Sequence, residues 1–194
     1  QAITITPTGS TTICQGNSVT LNATAGFTGY TWTTPSGTQT GASISASAAG
    51  AYSVTATGSN GCSSSSTNTT ITINTPQALS ITPTGSTTIC QGNSVTLNAT
   101  AGFTGYTWTT PSGTQTGASI SATAAGDYSV SATGSNGCLS SSTLTSITVN
   151  APQALSITPD GSTTICQGNS VTLNATDGFT GYTWTTPSGT QAGA

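Results

Sequence analysis

The sequence predicts an all-β protein made of tandem β-sandwich repeats, and three observations support this fold class. The stretch TTICQGNSVTLNAT begins at Thr11, Thr87 and Thr163, and these numbers differ by 76. Apolar and polar residues alternate within short segments rich in Thr, Val and Ile, which is the pattern of half-buried strands. Gly and Asn separate these segments, and Asn60 followed by Gly61 is a strong hairpin-turn signal.

The 76-residue period divides the chain into three predicted domains, two of them complete. Repeat 1 spans residues 1–76, repeat 2 spans 77–152, and 153–194 form the N-terminal part of repeat 3. The two complete repeats differ at ten positions. Each joint, INTPQAL or VNAPQAL, contains one Pro and no Gly. Because Pro restricts its own φ and the residue before it, we expect stiff joints with limited bending.

Within one repeat, the period of two predicts six or seven strands and assigns their core faces. The alternation is clear in five segments of repeat 1: AITIT, SVTLNA, GYTWTT, AYSVTAT and TITIN. Successive side chains of a strand point to opposite faces, so the apolar residues of each segment should share one face. The aromatic residues expected in the core are Tyr30, Trp32, Tyr106, Trp108, Tyr182 and Trp184.

The composition excludes several classes of function. The chain has no Lys, Arg or His and only three acidic residues, Asp127, Asp160 and Asp177. Nucleic-acid binding and attachment to anionic lipid depend on basic residues. Acid–base and nucleophilic catalysis need groupings that these residues do not provide. We therefore predict no enzyme activity, catalytic residue, cofactor or metal site, no nucleic-acid partner, and no membrane insertion.

The five cysteines lead to an expected pairing within each repeat. Cys14 precedes the turn QGN, and Cys62 follows the turn SNG. We expect the disulfides Cys14–Cys62 and Cys90–Cys138, each closing one pole of its sandwich. Such a bond adds about 4 kcal/mol on the chain-entropy model and indicates an oxidising, extracellular compartment. By the same spacing, the partner of Cys166 would lie beyond Ala194, so Cys166 is expected to be unpaired here.

The order Cys, Trp, Tyr, Cys resembles the immunoglobulin fold, although Val54 stands where that fold would place its second cysteine. The motifs CQGNSVTLNA, YTW, AGAYSVTA and NGC resemble the tandem immunoglobulin-like (PKD-like) repeats of large Bacteroidota surface proteins, and the resemblance covers essentially the whole chain. It implies an extracellular adhesin, a stalk or a gliding-motility filament, exported in many cases by the type IX secretion route.

Two structural functions and one binding function follow as hypotheses. In the first, the chain is a window onto a longer stalk or filament, whose partners are neighbouring repeats and whose distal tip, outside this chain, binds surface glycans. In the second, the chain is a filament subunit whose incomplete third repeat is completed by an identical chain, with Cys166 as the link between chains. In the third, Trp32 and its copies are sugar-stacking platforms of a carbohydrate-binding module.

Overall fold

A computed structural model describes residues 1–193, and these residues form strands and turns without a helix. The prediction of an all-β chain is confirmed. The chain divides into two compact units, the first covering Gln1–Val149 and the second beginning at Asn150. The first unit contains two sandwiches in succession, each with its own hydrophobic core. In the part of the chain that the structure describes, no helix has the length and hydrophobicity needed to cross a bilayer.

Repeat 1 is a two-sheet sandwich of nine strands. One sheet has the order β1-β3-β6, and the other has the order β2-β9-β7-β4-β5, with β8 also paired to β7. The pairing is antiparallel except between β2 and β9, which run parallel. The strands are β1 (Ile5–Pro7), β2 (Thr12–Cys14), β3 (Val19–Ala23), β4 (Phe27–Thr34), β5 (Gly37–Thr40), β6 (Ser43–Ala46), β7 (Gly50–Gly58), β8 (Ser63–Ser65) and β9 (Thr69–Asn74).

Repeat 2 has the same topology, as its near-identical sequence requires. Its sheets have the orders β10-β12-β15 and β11-β18-β16-β13-β14, with β17 paired to β16. The strands are β10 (Ile81–Pro83), β11 (Thr88–Cys90), β12 (Val95–Ala99), β13 (Thr104–Thr110), β14 (Gly113–Thr116), β15 (Ser119–Ala122), β16 (Gly126–Thr133), β17 (Leu139–Ser141) and β18 (Thr145–Asn150).

The second unit has two two-stranded sheets, β19-β20 and β21-β22. Their strands are β19 (Ile157–Pro159), β20 (Leu173–Ala175), β21 (Thr183–Thr186) and β22 (Gly189–Ala192). Within residues 150–193 there is no counterpart of β6, β7 or β9, which close the core in repeat 1. Leu173 is therefore 45% exposed, whereas its equivalent in repeat 2, Leu97, is fully buried, and Ile157 is 59% exposed.

Nine strands per repeat exceed the expected six or seven, and in repeat 1 the strands β2, β5, β6 and β8 lie outside the five segments with clear alternation. The turn after Pro7 moves the first strand from one sheet to the other, so β1 and β2 belong to different sheets. Ser66 interrupts the last strand between β8 and β9, and its side-chain oxygen accepts a hydrogen bond from the Val54 N–H at 3.0 Å. The Ser66 side chain thus takes the place of a ladder partner at the break.

A tyrosine corner fixes the start of β7, a feature that the alternation of apolar and polar residues does not predict. The Tyr52 hydroxyl donates to the Ala48 carbonyl oxygen at 2.9 Å, four residues upstream. The same bond joins Tyr128 to Ala124 at 2.9 Å. Immunoglobulin-type sandwiches use this contact at the same corner. The sequence does carry a signal for it, since a Tyr at the end of an AAGxY segment recurs in both repeats.

Candidate functional site: the junction between repeats 1 and 2

The predicted pairing of cysteines within each repeat is wrong, because the two cysteines lie at opposite poles. Cys14 is in register with Asn74, at the pole where the chain leaves repeat 1, which we call the exit pole. Cys62 follows the far end of β7 in the turn before β8, close to Gln1, which we call the entry pole. Strand rise places these poles roughly 35 Å apart. A disulfide needs Cα atoms within about 7 Å.

The observed disulfide joins the two repeats instead. Cys14 at the exit pole of repeat 1 is bonded to Cys138 at the entry pole of repeat 2, with a Cα–Cα distance of 5.6 Å. The bond encloses a loop of 124 residues. Closing a loop of this length removes about 5 kcal/mol of conformational entropy from the unfolded chain on the chain-entropy model. The expected pairs Cys14–Cys62 and Cys90–Cys138 are both replaced by this single bond between domains.

Hydrogen bonds surround the disulfide and align the two poles. The Asn136 side-chain amide donates to the Thr75 carbonyl oxygen at 2.8 Å. In return, the Asn74 side-chain amide donates to the Asn136 carbonyl oxygen at 3.1 Å. The Ser135 N–H donates to Gln77 Oε1 at 2.9 Å, so the first residue of repeat 2 is also held by the β16–β17 hairpin. The junction is therefore a specific interface, in which the hairpin contacts the joint itself.

The equivalent hairpin of repeat 1, between β7 and β8 at the entry pole, is exposed. Cys138 is completely buried at the junction, whereas the equivalent Cys62 at the entry pole of repeat 1 is exposed. Cys90, the equivalent of Cys14 at the exit pole of repeat 2, is also exposed and free. Cys166 is free and exposed in the second unit. The first unit therefore contains one disulfide between repeats, and its other two cysteines, Cys62 and Cys90, are free thiols.

The aromatic residues serve the cores. Trp32 and Trp108 are fully buried. Each indole Nε1–H donates to a backbone carbonyl oxygen, of Gly41 at 2.9 Å and of Gly117 at 2.8 Å. Tyr30 and Tyr106 are half-buried and pack against the two cores. Tyr182 and Trp184 are half-buried, because the second unit has fewer strands to cover them.

Other types of site have little basis in the described residues. No group of three or more Cys or Asp side chains lies close enough together between residues 1 and 193 to hold a metal ion. The side chain of Asp127 accepts a hydrogen bond from Ser146 Oγ, on the neighbouring strand β18. This carboxylate therefore takes part in a cross-strand contact on the exposed face of the sheet.

The comparison with protein families agrees with the sandwich fold of repeat 1. The PKD domain family matches residues 2–73. A comparison with curated proteins gave no match. Among solved structures, the chain is similar to murine CEACAM1b, with 15% identity, coverage of 76% of this chain and 100% of that chain, and a TM-score of 0.36. It is also similar to the Clostridium thermocellum CbhA fibronectin(III)-like modules, with 17% identity, coverage of 77% and 93%, and a TM-score of 0.38.

Proposed function

We propose that the chain is a non-enzymatic structural segment of an extracellular repeat array, acting as a stalk or filament that resists extension. The observation that carries this proposal is the Cys14–Cys138 bond, because it joins successive repeats rather than closing one. Tension applied along the chain reaches Cys14, crosses the disulfide to Cys138, and does not load residues 15–137, which form most of the two sandwiches. A covalent bypass of this kind is useful in a protein that bears load and has little use in an isolated binding domain.

The PKD match and the disulfide agree with this function at a coarser level. PKD-type and immunoglobulin-like repeats are structural or binding domains, and repeat 1 matches that family. Disulfides persist in oxidising compartments, which supports an extracellular or surface location. The resemblance to Bacteroidota surface proteins supports the finer proposal of an adhesin stalk or gliding-motility filament exported by the type IX route. In that setting, a distal tip would bind glycans, and this chain would hold the tip away from the cell surface.

Single-molecule pulling tests the structural role. The chain is held at its two ends and extended, first oxidised and then after reduction. The intact disulfide hides 124 residues, so the oxidised chain should extend about 420 Å less than the reduced chain. Cys14→Ser should give the reduced length without a reductant, and Cys62→Ser should keep the oxidised length. Equal extensions before and after reduction would contradict a load-bearing disulfide.

The exposed apolar face of the second unit favours one alternative, a filament subunit completed by a neighbouring chain. Leu155, Ile157 and Leu173 are 61%, 59% and 45% exposed. With Phe179 and Trp184 nearby, Leu155 and Ile157 line a cavity. Strands of an identical chain would bury this face. Sedimentation under reducing conditions tests the alternative, because association should then persist in the wild type and disappear in Ile157→Asp.

The carbohydrate-binding alternative has weaker support. Stacking on a sugar requires an exposed indole face, and Trp32 and Trp108 are fully buried in the two cores. Trp184 is half-buried on the apolar face of the second unit. Sugar binding by the two complete repeats would therefore have to use residues other than these tryptophans.

A further inference from the structure

One edge of the large sheet in each complete repeat carries a palindromic sequence. The segment GTQTG occupies residues 37–41 in repeat 1 and 113–117 in repeat 2, and we call these segments the GTQTG edges. They contain the edge strands β5 and β14. Within residues 1–193, β5 pairs only with β4, and β14 pairs only with β13. Every residue of both GTQTG edges is exposed, and both edges lie in the first unit.

The pairing of β5 with β4 leaves the backbone groups of Thr38 and Thr40 pointing away from the sheet. The Gly41 N–H donates to the Tyr30 carbonyl oxygen at 3.4 Å, so the backbone of Gly41 points toward β4. Residues of an antiparallel strand alternate between pointing toward one neighbour and toward the other. Gln39 therefore points its backbone toward β4, and Thr38 and Thr40 point theirs outward. β14 has the same register with β13, so the same assignment holds in repeat 2.

The GTQTG edges lack the features that commonly keep a second strand away. Edge strands are often protected by charged side chains, by Pro or by a bulge. β5 consists of Gly, Thr, Gln and Thr, and its register with β4 is continuous. In contrast, β1 at the edge of the smaller sheet contains Pro7, which has no N–H to donate. The outward donors and acceptors of β5 are thus open to backbone pairing.

We propose that the GTQTG edges pair copies of this chain side by side, in an antiparallel register centred on Gln39 or on its equivalent in repeat 2. The palindrome identifies the occupant as a second copy, because a two-fold rotation about Gln39 places like residues opposite each other. Thr38 then faces Thr40 of the second copy, and this pair exchanges both of its backbone hydrogen bonds. Thr side chains that face each other across two strands add to the stability of the pairing. The contact is isologous, since both copies use the same surface.

Gln39 supplies a contact between side chains at the centre of the proposed pair. It lies opposite Trp32 in the register and is exposed, because it extends past the edge of the core. Its amide group both donates and accepts, so the two Gln39 side chains can bond to each other across the two-fold axis. Because the first unit carries two such edges, one copy can pair with two others. Stalks built from these repeats would associate laterally into bundles.

This inference goes beyond the proposed function, which concerns load carried along a single chain. Lateral pairing uses β5 and β14 alone and needs neither the disulfide between repeats nor the apolar face of the second unit. The test therefore uses a full-length parent variant in which other routes to association are removed and the Cys14–Cys138 bond is kept. Its substitutions are Cys62→Ser, Cys90→Ser, Cys166→Ser and Ile157→Asp.

Amide hydrogen exchange of the parent variant, measured residue by residue with NMR, tests the pairing without any change at the edge. Exchange at Thr38 and Thr40 should slow with protein concentration, by about tenfold when about nine-tenths of the edges are paired. The Gln39 amide is an internal control, because it already points toward β4 and should not respond to concentration. Exchange rates at Thr38 and Thr40 that do not change with concentration would overturn the inference.

Charge substitutions at the centre of the palindrome test the two-fold register. Two variants of the parent are made: Gln39→Lys with Gln115→Lys, and Gln39→Glu with Gln115→Glu. In each variant, pairing would bring like charges opposite each other, so the dissociation constant from sedimentation should rise about tenfold. An equal mixture of the Lys and Glu variants places opposite charges together and should restore association at least to the level of the parent.

Matched controls carry the same charges on a central strand. Thr20 and Thr96 are exposed on β3 and β12, which have a neighbour on both sides. Thr20→Lys with Thr96→Lys, and the corresponding Glu pair, should associate like the parent. Association that survives the Gln39 and Gln115 substitutions, or that mixing does not restore, would assign the contact to another surface and refute the proposal.

Failure of lateral pairing is distinguishable from failure of the proposed function. Single-molecule pulling involves one copy at a time and reports only the Cys14–Cys138 bond. A parent variant that stays monomeric at every concentration, with the extension difference on reduction intact, would remove the bundle and leave the load-bearing role unchanged.

Discussion

The indole of Trp32 combines complete burial with one hydrogen bond to the Gly41 carbonyl oxygen, and both can be tested with one substitution. Trp32→Phe leaves that acceptor without its donor and should lower the free energy of unfolding by about 1–3 kcal/mol. Trp184→Phe should cost less, because Trp184 is only half-buried. Urea unfolding followed by circular dichroism measures both, and equal losses would contradict the burial difference.

Ser140 differs from its copy Ser64 in its hydrogen bonding, and this predicts different effects of the same substitution on stability. Ser140 is 4% exposed, and its Oγ has no hydrogen-bond partner. Ser64 Oγ donates to the Gln1 carbonyl oxygen at 3.0 Å. Ser140→Ala removes an unsatisfied buried hydroxyl and should stabilise the chain by about 1 kcal/mol, whereas Ser64→Ala should be neutral or destabilising. Thermal unfolding compares the two, and a lower midpoint for Ser140→Ala would contradict this account.

At the scale of elements, the hairpin that carries Cys138 depends on a turn that favours glycine. Gly137 has a φ of 78°, and Gly61 has a φ of 77° in the equivalent turn. A Cβ atom added at either position would meet open space, so alanine there costs only backbone strain, about 1–2 kcal/mol. Gly137→Ala should shift the Cys14–Cys138 bond toward the thiols in a glutathione redox buffer, whereas Gly61→Ala should not. Thiol alkylation and mass mapping report the two fractions.

The strand faces could be predicted from the sequence, because a period of two leaves little freedom once one face is apolar. Val19 and Leu21 in β3, and Tyr52 and Val54 in β7, are buried as the alternation predicts. The break between β8 and β9 could not be predicted from the sequence. At this break the Ser66 side chain accepts a hydrogen bond in place of a backbone ladder partner, and a Thr- and Ser-rich segment gives no sign of where this happens.

At the scale of the whole molecule, the disulfide could not be predicted, because alternation along strands says nothing about which pole a turn occupies. Cys14 and Cys62 both adjoin turns, but only the parallel pairing of β2 with β9 places Cys14 at the exit pole. That pairing is a long-range property of the sheet order. The interface between repeats depends on the parallel pairing of β2 with β9, so the candidate site could be recognised only from the sheet topology.

Removal of single cysteines tests this arrangement in the whole chain. Cys14→Ser should release Cys138 and lower the free energy of unfolding by up to about 5 kcal/mol, because the loop is no longer closed. Cys62→Ser removes a cysteine that is already free and should leave stability unchanged. Alkylation in denaturant without a reductant should label Cys62, Cys90 and Cys166 in the wild type and add Cys138 in Cys14→Ser. Pairing within repeats would instead label Cys166 alone in the wild type and would make the two substitutions equally destabilising.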